Sequence, residues 1–442
     1  MSRLSAEDRR VWIVIAVITV LGALFIPFSQ IVLGVNYTYT VRTVATGGAI
    51  LGLVTGVLGC FAVLRQESLM GDALSHAALP GVGIAFLIAG RDLSVLLIGA
   101  GISSWIGVQF IRLVLNTTRI KQDTAMGITL AAWFAAGIAL LAYIQGRADA
   151  SQAGLNTFIF GQAAAIVESD VWLISVISLI SCGVLMLFWK EFKLVTFDPE
   201  FAGANGFRIG LINVILSTLI VVAIVLGLQL AGVILMVGML IAPGISARQW
   251  TQKLNQMVIL SGVFGAFAGS LGAVLSAVDA DVPTGPMIIV AAFTIALISI
   301  GFAPQRGLLW KLIRRQSDQR RFAAQTTLRD LYKYANSHGE ASYPIPNSLI
   351  LGIGGSTASL GLKKLLQRGD VKQKNDKWIL TIQGIQVATE DAYNQQLWDV
   401  YRVYGDELGV PLIMEDRQKP IEDVLPDDAI IRLKQKLNEG LT

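Results

Sequence analysis

Asp72 and His76 are the residues in this chain best suited to chemistry. They stand four apart in Gly71-Asp72-Ala73-Leu74-Ser75-His76-Ala77-Ala78-Leu79-Pro80-Gly81, a stretch that opens a long apolar run. On a helix, positions i and i+4 lie one above the other, so both side chains can point at one spot. A carboxylate oxygen with an imidazole nitrogen is a mixed donor set that suits Mn²⁺, Fe²⁺ or Zn²⁺. Ionisable groups inside an apolar span are costly and mark function. The plainer alternative is a helix cap, since Asp is a good N-cap; it accounts for Asp72 and leaves His76 without a role.

The elements that must position this pair are membrane helices. Of 442 residues, 54% are hydrophobic and only 15% charged, against roughly 25% charged in soluble domains; the mean hydropathy is +0.61. Cys60 and Cys182 both lie in apolar runs, which suggests neither a disulfide framework nor a thiolate metal site. Up to Pro304 there are 15 Lys+Arg and 14 Asp+Glu, and from Gln305 onward 20 and 17 in less than half the length. That shift predicts a membrane domain over 1–304 and a water-soluble domain over 305–442.

A span needs ~20 apolar residues. Segments of that kind fall at about 11–33, 43–64, 73–89, 93–115, 125–145, 170–190, 210–229, 231–247, 255–278 and 285–303. The pair around Gln229 and Gly232 is almost continuous, and Leu155 to Gln162 is apolar but too short to cross. Most glycines read as close packing between helices, whereas Gly71, Pro80 and Gly81 bracket the Asp/His pair and are expected to kink the helix there. Arg9, Arg10, Arg65, Arg119, Lys121, Lys190, Lys193, Arg208, Arg248 and Lys253 fall on one side, and Arg42, Arg91 and Arg147 on the other. By the positive-inside rule both termini are cytoplasmic. Gln162, Glu168, Asp170, Asp279 and Asp281 are span-end polar residues, read as solvated.

Between two spans on that basic side lies a polar loop holding Lys193, Asp198, Glu200 and Arg208, with Phe197 and Phe201 as apolar anchors. A short helix there can dock into a partner's groove. The chain has no Gly-x-x-x-x-Gly-Lys-Ser/Thr phosphate loop, so ATP hydrolysis of that kind would belong to another polypeptide.

The Gly71–Gly81 stretch resembles the signature of the permease subunits of metal-ion ABC importers, the manganese/zinc/iron group. Phe61 to Arg65, Ile120 to Ile128 and Leu240 to Gly244 agree with it, and Phe197-Asp198-Pro199-Glu200-Phe201-Ala202 through Gly206 resembles the group's ATPase-coupling segment. The resemblance implies an all-α polytopic membrane fold of about 8–10 helices, of the type II importer kind, in a bacterial cytoplasmic membrane. It assigns ATPase coupling to Asp198, Pro199, Glu200, Phe201, Ala202 and Gly206. It also implies a cytoplasmic ATP-binding subunit, an extracytoplasmic metal-binding protein and a second permease copy, identical or homologous. The chain itself is then no enzyme and holds no permanent cofactor; the metal ion is its cargo. Two copies across a central path would double the Asp72/His76 ligand set.

From Gln319 to Ser337 the pattern is helical, with Phe322, Thr326, Leu328, Leu331 and Tyr334 on one side. Two short helices follow, joined at Gly354-Gly355, and then a β-ribbon turning at Asn375-Asp376. That is a winged-helix layout, an α+β soluble domain. Ser359 to Leu365, Trp378 to Thr381 with Gly384, Leu397-Trp398 and Ile421 to Pro426 resemble the diphtheria-toxin-repressor and manganese-repressor group. The metal-sensing cluster of that group falls at Met414-Glu415-Asp416-Arg417, where there is no histidine, and the tail's net charge is only +3. Neither metal sensing nor nucleic-acid binding is therefore expected. The alternative reading of the whole chain is a membrane-tethered, metal-responsive transcriptional regulator.

Overall fold

The computed structural model describes residues 6–90, 92–146, 166–279, 281–304, 307–410, 413 and 420–439. Contacts divide the chain into two units, Met1–Trp310 and Lys311–Thr442. The first unit is helical throughout its described residues: α1 (Ala6–Ile31), α2 (Tyr39–Leu64), α3 (Met70–Ala89), α4 (Leu93–Thr117), α5 (Gln122–Gln145), α6 (Glu168–Leu187), the short α7 (Trp189–Phe197) and α8 (Pro199–Ala204), α9 (Ile209–Trp250), α10 (Leu254–Ser276) and α11 (Thr284–Phe302). Leu155 to Gln162 lies outside the described residues.

Helix α2 is the axis of the bundle, and glycine spacing decides what it can touch. Gly48, Gly52 and Gly56 recur every four residues, as do Ser261, Gly265 and Gly269 on the antiparallel α10. A Cβ added at Gly52 would fall on the carbonyl of Gly265, and one at Gly265 on the carbonyl of Gly52. The two backbones therefore touch directly, as small residues permit between membrane helices. The Ser261 hydroxyl donates to the Gly56 carbonyl at 2.6 Å. Ordinary packing is thus the role of these glycines.

Helix α9 holds the two nearly continuous apolar segments, and they reverse on each other at Gly232, whose φ of 77° and ψ of 170° belong to a region open almost only to glycine. Before the turn, Ser217 accepts from Arg112 near one end of α4. After it, Gly244 packs on Cys60 and Val63, one turn before Arg65. Both ends of α9 therefore lie at the Arg65 end of the bundle. Ten helices among the described residues are long and apolar enough to cross a membrane. Nine belong to the first unit; the other, Asn347–Arg368, is broken at Gly355 and buries one side against the small core of the second unit.

Proline 80 does not break α3, which runs from Met70 to Ala89 through it. The helix is held on both sides there. Gly81 meets Gly99 of α4 backbone to backbone, and Gly137 of α5 packs on Leu79 and Pro80. The Ser103 and Ser104 hydroxyls donate to the carbonyls of Ala77 and Leu74, at 2.6 and 2.9 Å. Gly71 packs on Val237 and Leu240. Gly71 and Gly81 are packing glycines like the rest.

The second unit contains the larger part of α12 (Leu308–Ser337), then β1 (Ile345–Pro346), α13 (Asn347–Arg368), β2 (Val371–Lys374), β3 (Lys377–Leu380), α14 (Ile382–Tyr404) and α15 (Asp427–Glu439). The strands form one antiparallel sheet in the order β1-β3-β2, and Asn375 takes a φ of 53° in the ribbon's turn. Two apolar clusters hold it. Ala324, Leu328, Leu331, Leu362, Leu365, Trp378 and Leu380 form one; Leu397, Trp398, Ile421 and Leu433 belong to the other. Phe322 is exposed because the buried face of α12 runs through Ala324, Leu328, Leu331 and Ala335, and Leu360 because that of α13 runs through Ala358, Gly361, Leu362 and Leu365.

Gly52→Val puts two methyl groups where the Gly265 backbone stands. The substitution is expected to cost about 1–3 kcal/mol or more, read as a lower midpoint of thermal unfolding in detergent. A Gly210→Ala control, at a position with open space around its Cα, is expected to leave the midpoint unchanged.

Candidate metal site and coupling surface

Asp72 lies in the first turn of α3, and its carboxylate meets His76 Nε2 at 3.3 Å. The helix is capped at Leu69 with no side-chain bond, so Asp72 is paired with the imidazole rather than used as a cap. A negative charge in the first turn is also favoured by the helix dipole. The imidazole stands edge-on to Phe134 of α5, with ring centres 4.9 Å apart. Its Nδ1 is buried and accepts or donates no hydrogen bond. The pair therefore has unused donor atoms: His76 Nδ1, and a carboxylate that among the described residues is partnered by the ring alone.

Burial along α3 has a clear pattern. From Met70 to Ala85, the positions that are not fully buried are Asp72, His76, Pro80 and Ile84, which recur every four residues and so form one stripe. The neighbouring face of α5 is open too and is built from small residues, Gly127, Ala131 and Ala135 among them. Among the described residues no group of three or more His, Cys, Asp and Glu comes together. One chain thus offers two ligands on an uncovered face, fewer than a closed site requires.

The acids at the span ends are engaged elsewhere. Glu168 accepts from the Tyr39 hydroxyl at 3.2 Å, Asp170 from the Val167 amide at 3.3 Å, and Asp279 from the Asp281 amide at 3.4 Å. Gln162 lies outside the described residues.

The predicted coupling segment is a capped helical turn. Asp198 ends α7 and begins α8, accepting from the Phe201 amide at 2.9 Å, with Pro199 at the first helical position and Glu200 in the first turn. That is a helix start with its cap and proline in the favoured places. Gly206, at φ 82°, closes the other end. Its amide donates to Gly203 and the Phe207 amide to Ala202, both at 3.1 Å, the Schellman pattern. Ala202 is fully buried and anchors the turn, while Phe197, Phe201 and Phe207 stand 58%, 56% and 42% exposed. Three uncovered aromatic rings on a rigid turn make an apolar surface.

A polar cluster at the same end of the bundle escapes sequence reading. Glu67, only 6% exposed, pairs with Arg65 at 3.1 Å and accepts from Gln122 Nε2 at 3.0 Å. Nearby Arg112 donates to Ser217 at 2.8 Å. An arginine between Ile111 and Leu113 in an apolar span is the signal that marks it in the sequence.

The sequence matches the ABC 3 transport family over residues 36–303. It is 38% identical over 367 residues to the manganese transport system membrane protein MntC of Bacillus subtilis, covering 83% of this chain and 84% of that protein. That alignment is too long to fit within the first unit and so continues into the second. The zinc transport system membrane protein TroC of Treponema pallidum is 46% identical over 279 residues, which cover 63% of this chain and 94% of TroC; TroC therefore has no room for a second unit. Among solved structures, PsaBC from Streptococcus pneumoniae in complex with Fab aligns with a TM-score of 0.55 and 32% identity, over 64% of this chain and 97% of the matched one. The chain belongs to the ABC 3 transport family and is a multi-pass permease of a metal-ion ABC importer.

Proposed function

We propose that this permease carries a divalent transition metal, manganese, iron or zinc, along a path on which Asp72 and His76 are the protein's ligands. The observation that carries the reading is the stripe of α3 between Met70 and Ala85 that is not fully buried, on which Asp72 and His76 both sit. A second copy packed against this face would bring four ligands together around the path. Four suffice to receive an ion stripped of most of its water, and a carboxylate from each copy offsets its charge inside the membrane. Because the set is small and lies between two chains, it releases as well as binds, which transport requires.

In this reading the Arg65 end of the bundle faces the cytoplasm, both termini lie there, and a separate ATP-binding subunit takes the Phe197, Phe201 and Phe207 rings into a groove. Residues Asp198, Pro199, Glu200, Ala202 and Gly206 hold that turn in shape. A metal-binding protein delivers the ion from the opposite side. The second unit is a winged-helix domain by its order of elements, helix, short strand, broken helix pair and ribbon. It serves contact between copies or control of the ATPase rather than transport, since TroC lacks it. Residues 414–417, the place of the repressor group's sensor, lie outside the described residues. A tethered transcription factor draws no support from the relatives, whose names all specify transport.

The test is uptake of radioactive Mn²⁺ and Zn²⁺ into cells that contain the ATPase and the binding protein. Asp72→Asn and His76→Ala are each expected to lower uptake at least about tenfold, while the variant permease still purifies with its ATPase. Undiminished uptake by both variants would remove the pair from the path. Phe201→Ala is expected to do the reverse in the binding assay: the ATPase subunit is lost on purification, and metal binding to the permease alone is retained. Full retention of the ATPase by Phe201→Ala would exclude the aromatic turn as its dock.

A further inference from the structure

We infer that the seam between α4 and the first half of α9 is a binding site for one anionic phospholipid, with its phosphate at Arg112 and Arg65. Two cavities lie end to end along this seam. The one at the Arg65 end, about 360 Å³, is lined by Arg65, Glu67, Arg112, Asn116, Asn213 and Ser217 among others. The other, about 800 Å³ and mostly apolar, is lined by Ile98, Ile102, Trp105, Val221, Val222 and their neighbours. They share helix faces: Gly101, Trp105, Val108 and Arg112 follow one another along α4, as do Asn213, Ser217, Val221 and Val225 along α9. At the join, Trp105 Nε1 donates to Thr218 at 3.2 Å. A polar chamber and an apolar groove in line along the same two helices match a headgroup and its acyl chain, which would pass the Trp105–Thr218 bond on the surface of the seam.

Charge selects the headgroup. Glu67 is the one carboxylate in the polar chamber's lining, and Arg65 and Gln122 engage it at 3.1 and 3.0 Å. Among the described residues Arg112 has only the neutral Ser217 hydroxyl as a hydrogen-bond partner, although a guanidinium has five N–H donors. Two guanidiniums thus share the chamber with one carboxylate, which leaves a net positive charge for a further anion. Asn213 Oδ1 is buried without a partner in the same wall, and the amide can present its N–H₂ to a phosphate once turned. Basic pockets between membrane helices are suited to acidic lipid headgroups. The apolar chamber sets the source of the phosphate: a free anion has no use for it, whereas an acyl chain fills it.

The experiment uses the full-length permease in nanodiscs of phosphatidylcholine with and without phosphatidylglycerol, followed by native mass spectrometry and thermal unfolding. Wild type is expected to retain one phosphatidylglycerol through detergent exchange and to melt higher when that lipid is present. Arg112→Gln is expected to lower its retention about fivefold and to abolish the rise in melting temperature. Gly101→Phe tests the apolar half without touching charge. A Cβ there meets nothing nearer than Val225 Cγ2 at 3.9 Å, so the ring enters the groove, and the same loss of lipid is expected. Equal retention of phosphatidylglycerol by wild type and Gly101→Phe would overturn the proposal. So would an equal rise in melting temperature from inorganic phosphate in pure phosphatidylcholine, which would mark a simple anion site. Loss of self-association rather than of lipid in Gly101→Phe would assign the groove to a second copy, and the lipid proposal would fall.

Discussion

Placing a carboxylate and an imidazole in an apolar helix is unfavourable unless each finds a partner, and the fold is arranged around that constraint. Asp72 and His76 answer it in part by pairing with each other at 3.3 Å. The other faces of α3 from Met70 to Ala85 are buried against α4, α5 and the second half of α9, through contacts so close that glycine is needed at Gly81, Gly99 and Gly137. Serine hydroxyls from α4 fasten the Leu74 and Ala77 carbonyls on either side of His76. The pair is thus held on a rigid helix with one face open, which is the geometry a transport site needs: fixed ligands and an accessible ion.

The same end of the bundle joins that helix to the surface that would receive an ATPase. The segment from Arg65 to Leu69 leads straight into α3 and carries the buried Glu67, while the aromatic turn of α8 leads within a few residues into α9. Arg112 touches α9 at Ser217, and Glu67 touches α5 at Gln122. The aromatic turn, the start of α9 and the start of α3 thus lie at one end of the bundle, each tied to a neighbouring helix by a polar contact. These bonds connect helix ends rather than helix centres, where glycine packing leaves little room for movement.

The membrane helices and the Asp/His pair are legible in the sequence because both follow from simple periodicity. Apolar runs of span length announce the helices, and an i,i+4 acid and histidine inside one of them announces a site. Hairpin reversal at Gly232 is less legible: a glycine inside an apolar run reads equally as packing, and only its backbone angles reveal the turn. At Pro80 the helix continues without a break, clamped by α4 and α5 on both sides. In the second unit, hydrophobic residues group into two cores rather than one, because Trp398 packs with Ile421 and Leu433 far along the chain. Long-range pairing of that sort leaves no local pattern. The Arg65–Glu67–Gln122 cluster shares this property, since Gln122 comes from a segment far along the chain from Arg65 and Glu67.

The most direct test of the metal site is pulsed electron paramagnetic resonance on Mn²⁺ bound to the purified permease. Bound Mn²⁺ is expected to show nitrogen modulation from a directly coordinated imidazole in the wild type, with the modulation absent in His76→Ala and the ion's affinity reduced in Asp72→Asn. Since the other histidine, His338, stacks on Tyr343 in the second unit, a His338→Ala variant is expected to keep the signal. Nitrogen modulation that persists in His76→Ala, or disappears in His338→Ala, would contradict the account.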